Sequence, residues 1–157
     1  KCNGDIMVRI TSECALIDPH IVTKLIRQHN ACKSDYTANT IKRTFPRGLD
    51  VEVFNFDVLE LDFKNAIEKY QREHVTPYIK EHPDKFQLKN VEAKGKLYRP
   101  DIRITIDTIE DFELIKKIIQ NFHNLSFKSE EIIDFLDKNP DLLEINKFIK
   151  QKSVRSN

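Results

Sequence analysis

The sequence has no tryptophan, one methionine, three glycines and three cysteines. Three glycines and six prolines are too few for flexible linkers or low-complexity stretches. Cys2, Cys14 and Cys32 are odd in number and lack a C-x-x-C spacing. That argues against a disulfide frame or a cysteine zinc site and fits free thiols in a reducing cytoplasm. No apolar run approaches the roughly 20 residues of a bilayer-spanning helix, and no basic segment followed by an apolar one marks a signal peptide. A charge excess is missing too: 26 Lys plus Arg face 25 Asp plus Glu, for a net +1. A general nucleic-acid or membrane-surface binder would need a basic excess. Neither G-x-G-x-x-G nor G-x-x-x-x-G-K-[ST] occurs, and no Ser or Cys stands in a nucleophile motif that would make His74 part of a hydrolase triad. The ten Phe and four Tyr fall on core-like positions and form no basic-interleaved stacking platform.

What is present is a chain of 157 residues, 39% apolar and 32% charged, enough for one domain with a real core. The β-branched run Ile6 to Thr11 predicts a strand, and the chain enters it almost at once from Lys1, as a chain cut just before a core strand would. Asp18-Pro19 predicts a helix start, followed by Ile21, Val22, Leu25 and Ile26 at helical spacing. Short strands are expected at 35–39, 51–56, 86–91 and 102–106, with a Pro/Gly loop at 41–48. Asp57 is expected to cap a helix to about Tyr70, with Leu59, Phe63, Ala66 and Ile67 on its core face. Further helices are expected over 72–81, 110–122 and 130–137, the last capped by Ser129, and from Asn139-Pro140 to about Lys150. Strands alternating with helices predict an α/β fold with a mixed, mostly parallel sheet, and a helical tail over 126–157.

Ligands of open α/β sheets bind beyond the carboxyl ends of the strands. Glu13 and Asp107 both follow expected strands. Together they could hold a hard divalent cation, Mg²⁺ before others, beside phosphate oxygens. Equally, Asp107 could cap the next helix and Glu13 could be solvated. The stretch from Arg43 to Glu52 places Arg43 and Arg47 beside Asp50 and Glu52, guanidinium forks suited to carboxylates or phosphates, or else a charged solvated rim. Arg72-Glu73-His74 sets three polar groups before an apolar turn.

Several stretches in order resemble the SpsF-like cytidylyltransferases, the spore-coat polysaccharide group related to the CMP-sialate and CMP-KDO synthetases. They are Asp5 to Pro19, Arg43-Thr-Phe-Pro-Arg-Gly-Leu-Asp-Val-Glu-Val-Phe54, Arg72-Glu-His-Val-Thr-Pro-Tyr-Ile79, Arg103-Ile-Thr-Ile-Asp-Thr-Ile-Glu-Asp-Phe112, Asn139 to Leu143 and Glu144 to Lys152. The resemblance spans nearly the whole chain. It implies the C-terminal half of a Rossmann-like nucleotide-diphospho-sugar transferase domain over 1–125, with the helical tail after it. It implies a cytoplasmic enzyme moving a nucleotidyl group, CMP from CTP, onto a sugar or sugar acid with release of pyrophosphate, in surface polysaccharide synthesis. Glu13 and Asp107 fall at the family's Mg²⁺-binding acids. Asp50, Glu52, Glu73 and His74 fall where relatives contact the sugar. Arg9, Arg43 and Arg72 are anion contacts, Arg9 and Arg72 at the catalytic step. A homodimer, with an interface within 51–79, is implied as well. The family has Asp-Cys-Pro where this chain has Glu13-Cys14-Ala15, and the extra methylene of Glu13 shifts its carboxylate. The family's Gly/Arg/Lys-rich triphosphate loop does not occur in this sequence, so the isolated chain is expected not to turn over. A non-catalytic sugar-phosphate binding or assembly module, or a transferase using another base, are the competing expectations.

Overall fold

The computed structural model describes residues 5–122 and 127–151. Cys2, the expected boundary at 125 and the chain after Gln151 lie outside the described residues. The elements run β1 (Ile6–Arg9), α1 (Pro19–Cys32), β2 (Tyr36–Ala38), β3 (Glu52–Asn55), α2 (Phe56–Asn65), α3 (Lys69–His74), α4 (Pro77–Glu81), β4 (Leu88–Asn90), α5 (Ile109–Asn121) and α6 (Ser129–Lys138), with 3₁₀ turns at Gly95–Leu97 and Pro140–Ile145.

The four strands form one sheet in the order β1-β3-β2-β4. The expected mixed α/β sheet is there, but it is not mostly parallel. β3 runs antiparallel to both neighbours, with Arg9 opposite Glu52 on one side and Ala38 opposite Glu52 on the other. Among the named strands only β2 and β4 pair in parallel, and Arg47 and Arg103 form a single parallel bridge outside the sheet. The reason lies in the connections. Helix α1 carries the chain over from β1 to β2, which therefore point the same way. The loop after β2 has no helix and simply turns the chain back into β3, between them.

Asp18 starts α1 as expected. Its Oδ1 accepts the His20 N–H at 2.8 Å, and Pro19 opens the helix. The other oxygen accepts both the backbone N–H and the hydroxyl of Ser129, at 2.9 and 3.0 Å. Ser129 is thus a donor at the head of α6 rather than its cap, and one buried carboxylate serves the first turns of two helices. Burial alone would push the Asp18 carboxyl up; the Ser129 and His20 hydrogen bonds outweigh it and hold it below the ordinary carboxylate range.

Three further expectations change. Helix α2 stops at Asn65, short of Tyr70, and it turns Val58 and Asp62 toward the interior. Ala66 is buried as expected, but Phe63 is 68% exposed and Ile67 is 81% exposed, so the expected core face is largely open. The expected helix over 72–81 breaks into α3 and α4, because Val75 adopts φ +69° and Pro77, with no N–H to give, begins the next helix. The Thr76 N–H returns to the His74 carbonyl at 2.8 Å, a tight turn that is strained for a β-branched residue. Residues 102–106 are extended but join no ladder. Their backbone instead bonds two loops: Arg47 N to Ile102 O at 2.9 Å, Ile104 N to Arg47 O at 2.8 Å, and Ile106 N to Glu13 O at 3.0 Å.

The main core gathers Leu25, Phe45, Val53, Ile104, Leu114, Ile118, Ile132 and Leu136. Helix α6 is therefore embedded in the same core as α1 and α5. A smaller cluster, with Tyr36, Phe54, Val58, Tyr78, Ile79 and Phe86, lies under α2 and α4. Replacing Asp18 by Ala removes cap acceptors from two helices, so urea unfolding should show a loss of about 2 kcal/mol, and a loss under about 0.5 kcal/mol would contradict the double cap.

Candidate active site

The cleft lies beyond the C-terminal ends of β1 and β2, where the reversed β3 begins. Its geometry starts from the loop between β2 and β3. Asn39, fully buried, spans that loop: its Nδ2 donates to Leu49 O at 2.6 Å and its Oδ1 accepts Val51 N–H at 2.9 Å. Within the loop Arg43 grips Asp50 with two parallel bonds of 2.8 Å. Gly48 has φ +102°, and a Cβ there would stand 2.2 Å from Ile104 O. The loop can thus lie flat on residues 102–105 only with glycine at this position.

Glu52, 6% exposed, is the densest node. Its Oε1 accepts the Tyr36 hydroxyl at 2.5 Å, the Thr76 hydroxyl at 2.8 Å and Lys80 Nζ at 3.4 Å; its Oε2 accepts Arg9. Burial pushes the Glu52 carboxyl up, but the Lys80 charge, the Tyr36 hydroxyl and Arg9 outweigh it and leave it below the usual range. The same contact works on Tyr36 in reverse: burial and the Glu52 charge push its hydroxyl well above the ordinary phenol value, so it stays a donor.

Arg9, Glu13, Arg43, Asp50, Glu52 and His74, six of the nine expected site residues, line one cavity of about 230 Å³ with Thr11, Thr40 and Lys80. His74 Nε2 is buried with no hydrogen-bond partner, unlike most buried polar atoms. Lys80 was not expected from the sequence, since a single lysine on a short helix carries no signal of its own. Glu73 is exposed and does not line this cavity. Arg72 is not brought there either: its guanidinium lies 5.2 Å from the Phe63 ring, at a different cavity.

Asp107 sits beside the cleft rather than in its wall. Thr108, not Asp107, caps α5, exchanging bonds with Asp111 at 3.3 and 3.2 Å. The Asp107 carboxylate instead accepts Arg103 at 2.6 Å. Hydrogen bonds from the Ile106 N–H and the Thr105 hydroxyl to Glu13 O, 3.0 and 3.2 Å, bring the two expected metal acids to adjoining segments. Arg47 stands between the two halves, within electrostatic reach of Asp50 and Asp107. Among the described residues no group of three or more His, Cys, Asp or Glu gathers as a metal cage. Mg²⁺, the cation expected at Glu13 and Asp107, is usually held by one or two carboxylates with water and phosphate oxygens completing its octahedron, so that expectation does not require a cage of three.

The strand ends of an α/β sheet, where these charged side chains converge, are the place where such folds bind small ligands. The chain belongs to the cytidylyltransferase family, whose model matches residues 1–136. It is 43% identical over 153 residues to an uncharacterised protein of Methanocaldococcus jannaschii, covering 98% of this chain and 62% of that protein. It is 33% identical over 138 residues to the spore coat polysaccharide biosynthesis protein SpsF of Bacillus subtilis, covering 87% of this chain and 56% of SpsF. The solved structure of a cytidylyltransferase from Leptospira borgpetersenii serovar Hardjo-bovis superposes with a TM-score of 0.84 at 32% identity, over 96% of this chain and 62% of that one. The chain thus spans about three-fifths of the length of these relatives. No helix of the described residues is long and apolar enough to cross a membrane.

A second cavity of about 620 Å³ opens between α2 and α3, walled by Phe56, Leu59, Phe63 and Val75. Asp62, 3% exposed, faces it with Oδ1 unpartnered, while the carboxylate accepts the Ile79 N–H. Burial pushes this carboxyl up to about 6, against the Ile79 hydrogen bond and the Arg72 and Lys80 charges. The folded chain therefore holds this proton where the unfolded chain has released it, and Asp62 loses its stabilising contribution as pH rises from about 4 through 6. Between pH 5 and pH 7 wild type should lose about 1 kcal/mol more than Asp62→Asn in paired urea titrations. Parallel pH profiles for the two proteins would contradict the assignment.

Proposed function

We propose that this chain supplies the acceptor and cation contacts of a nucleotidyl-transfer site. The transferred group is CMP from CTP, the acceptor is a sugar or sugar acid, and the setting is surface polysaccharide synthesis. The observation that carries the reading is the convergence of Arg9, Glu13, Arg43, Asp50, Glu52 and His74 on one cleft, in a member of the cytidylyltransferase family. An acceptor oxygen attacks the α-phosphorus, the bond to the bridging oxygen of the β-phosphate breaks, and pyrophosphate leaves. Such transfers depend on positioning and on charge placed before the reaction begins. The closed Arg43–Asp50 fork offers a fixed edge for sugar hydroxyls, with Asp50 accepting and Arg43 donating. His74, with Nε2 unpartnered beside the cavity, is the group to take the proton of the attacking hydroxyl. Glu13 and Asp107 would hold Mg²⁺, which when bound offsets the charge of the phosphates. Arg103 fixes the Asp107 carboxylate for that task.

Calorimetric titration of CTP into the chain with and without Mg²⁺ tests the reading. Binding should require Mg²⁺ and weaken at least about tenfold in Asp107→Ala, the loss of one charged contact. Binding indifferent to Mg²⁺ and to Asp107→Ala, or no binding at all, would contradict it.

A further inference from the structure

The cavity between α2 and α3 has no part in the proposed transfer, and it shares no lining residue with the cleft. Its volume of about 620 Å³ lies within the range of small-molecule sites. Phe56, Leu59, Phe63, Ala66 and Val75 make its walls apolar. Phe56 and Phe63 are exposed, so the cavity is open to solvent. Asp62, buried, stands at its back. Its carboxylate accepts the Ile79 N–H, yet Oδ1 has no donor. Nearly all buried polar atoms find a partner, and a buried carboxylate needs one most.

The nearby cations do not meet that need. Arg72 turns its guanidinium to the Phe63 ring, 5.2 Å away, and donates to the Phe63 carbonyl at 3.5 Å. Lys80 gives its ammonium to Glu52 at 3.4 Å. Glu60 and Lys64, both exposed at the rim, are opposite in charge. Gln71, the other buried polar side chain of the wall, is fully engaged: its oxygen accepts the Ile67 and Glu68 N–H groups and its nitrogen donates to Glu81. What remains is one bare carboxylate oxygen in an aromatic and aliphatic cavity. Aromatic faces attract cations, as the Phe63 ring already does with Arg72. A protonated amine on an apolar body satisfies the oxygen, the rings and the apolar walls together. An anionic ligand would be repelled by Asp62, and a wholly apolar one would leave the oxygen bare.

We propose that this cavity binds a small organic cation, a protonated amine on an apolar body, with the ammonium on Asp62 and the body against Leu59 and Phe63. The site adjoins the run of chain that shapes the cleft. Gln71, Arg72 and Val75 wall the cavity, while His74 and Lys80 of the same run wall the cleft. The proposal does not depend on the nucleotidyl-transfer reading.

The test titrates the full 157-residue chain with 4-phenylbutylamine and with its neutral counterpart, 4-phenylbutan-1-ol, and follows the backbone amide shifts. The titrations run at about pH 8, where Asp62 is ionised and the amine protonated. The amine should bind at least about tenfold more tightly than the alcohol, the worth of one charged hydrogen bond. The largest shifts should fall within residues 56–75. Asp62→Asn should bring the amine down to the affinity of the alcohol. Phe63→Ala, a change at an exposed position, should weaken both probes at least about threefold. Equal affinities of amine and alcohol, a preference that survives Asp62→Asn, shifts centred elsewhere, or no binding of either probe would overturn the proposal. Self-association of the chain that Phe63→Ala abolishes, with no amine binding, would assign this face to a second copy and overturn it as well.

Discussion

The architecture around the cleft depends on one buried ion pair, Arg103 with Asp111. Asp111 is fully buried. Its carboxylate receives Arg103 at 2.8 and 2.7 Å, Asn146 at 2.8 Å, and the backbone N–H groups of Asp107 and Thr108 at 3.1 and 3.2 Å. A buried charge is tolerated only with this degree of satisfaction, because its desolvation otherwise costs several kcal/mol. Burial pushes the Asp111 carboxyl up, and Arg103 and Asn146 outweigh it to hold it below the usual range. Four parts of the chain meet there. Residues 102–106 are fixed at Arg103, α5 begins at its capping box, the turn after α6 is tied in by Asn146, and Gln151 closes on the guanidinium at 2.6 Å. Asp107 inherits its place from this node. So, through Ile104 O and Gly48, does the loop carrying Arg43 and Asp50.

Three of the four buried carboxylates among the described residues, Asp111, Glu52 and Asp62, have three different environments. Asp111 faces one cation and neighbouring N–H groups, and its work is structural. Glu52 faces two cations and two hydroxyls, and delivers the cations to a cleft. Asp62 has a single backbone donor and one bare oxygen, at the edge of an apolar cavity. Only the last ends above the ordinary carboxylate range, since the Ile79 N–H and the Arg72 and Lys80 charges do not outweigh its desolvation. The density of partners distinguishes them, not the depth of burial.

Much of this was legible in the chain. Asp18-Pro19 announces α1 because the capping acid accepts one of the first turn's unpaired N–H groups and the proline, having no N–H, removes another. Arg43 and Asp50 lie in one short loop, so their pairing needs only that loop to close. Sequence could not reveal what depends on distant partners. Ser129 looks like a cap and is a donor, because Asp18, 111 residues away, occupies its place. The run Ile102 to Ile106 has strand composition and burial, yet it meets two loops instead of a strand. Phe63 and Ile67 carry helical spacing, but spacing cannot say whether anything packs on that face. Lys80 becomes a site residue only once α4 folds back under Glu52. Arg72, two positions before His74, faces another cavity because the strained turn at Val75 fixes where α3 points.

The central proposal is that Glu13 and Asp107 form the cation side of the candidate site. Paramagnetic broadening of amide signals by Mn²⁺ in the presence of CTP tests it most directly. The account predicts that the amides of Glu13, Ile106 and Asp107 broaden first, while those of α2 around Asp62 keep their intensity. Broadening centred on α2, or spread evenly over surface carboxylates, would contradict it.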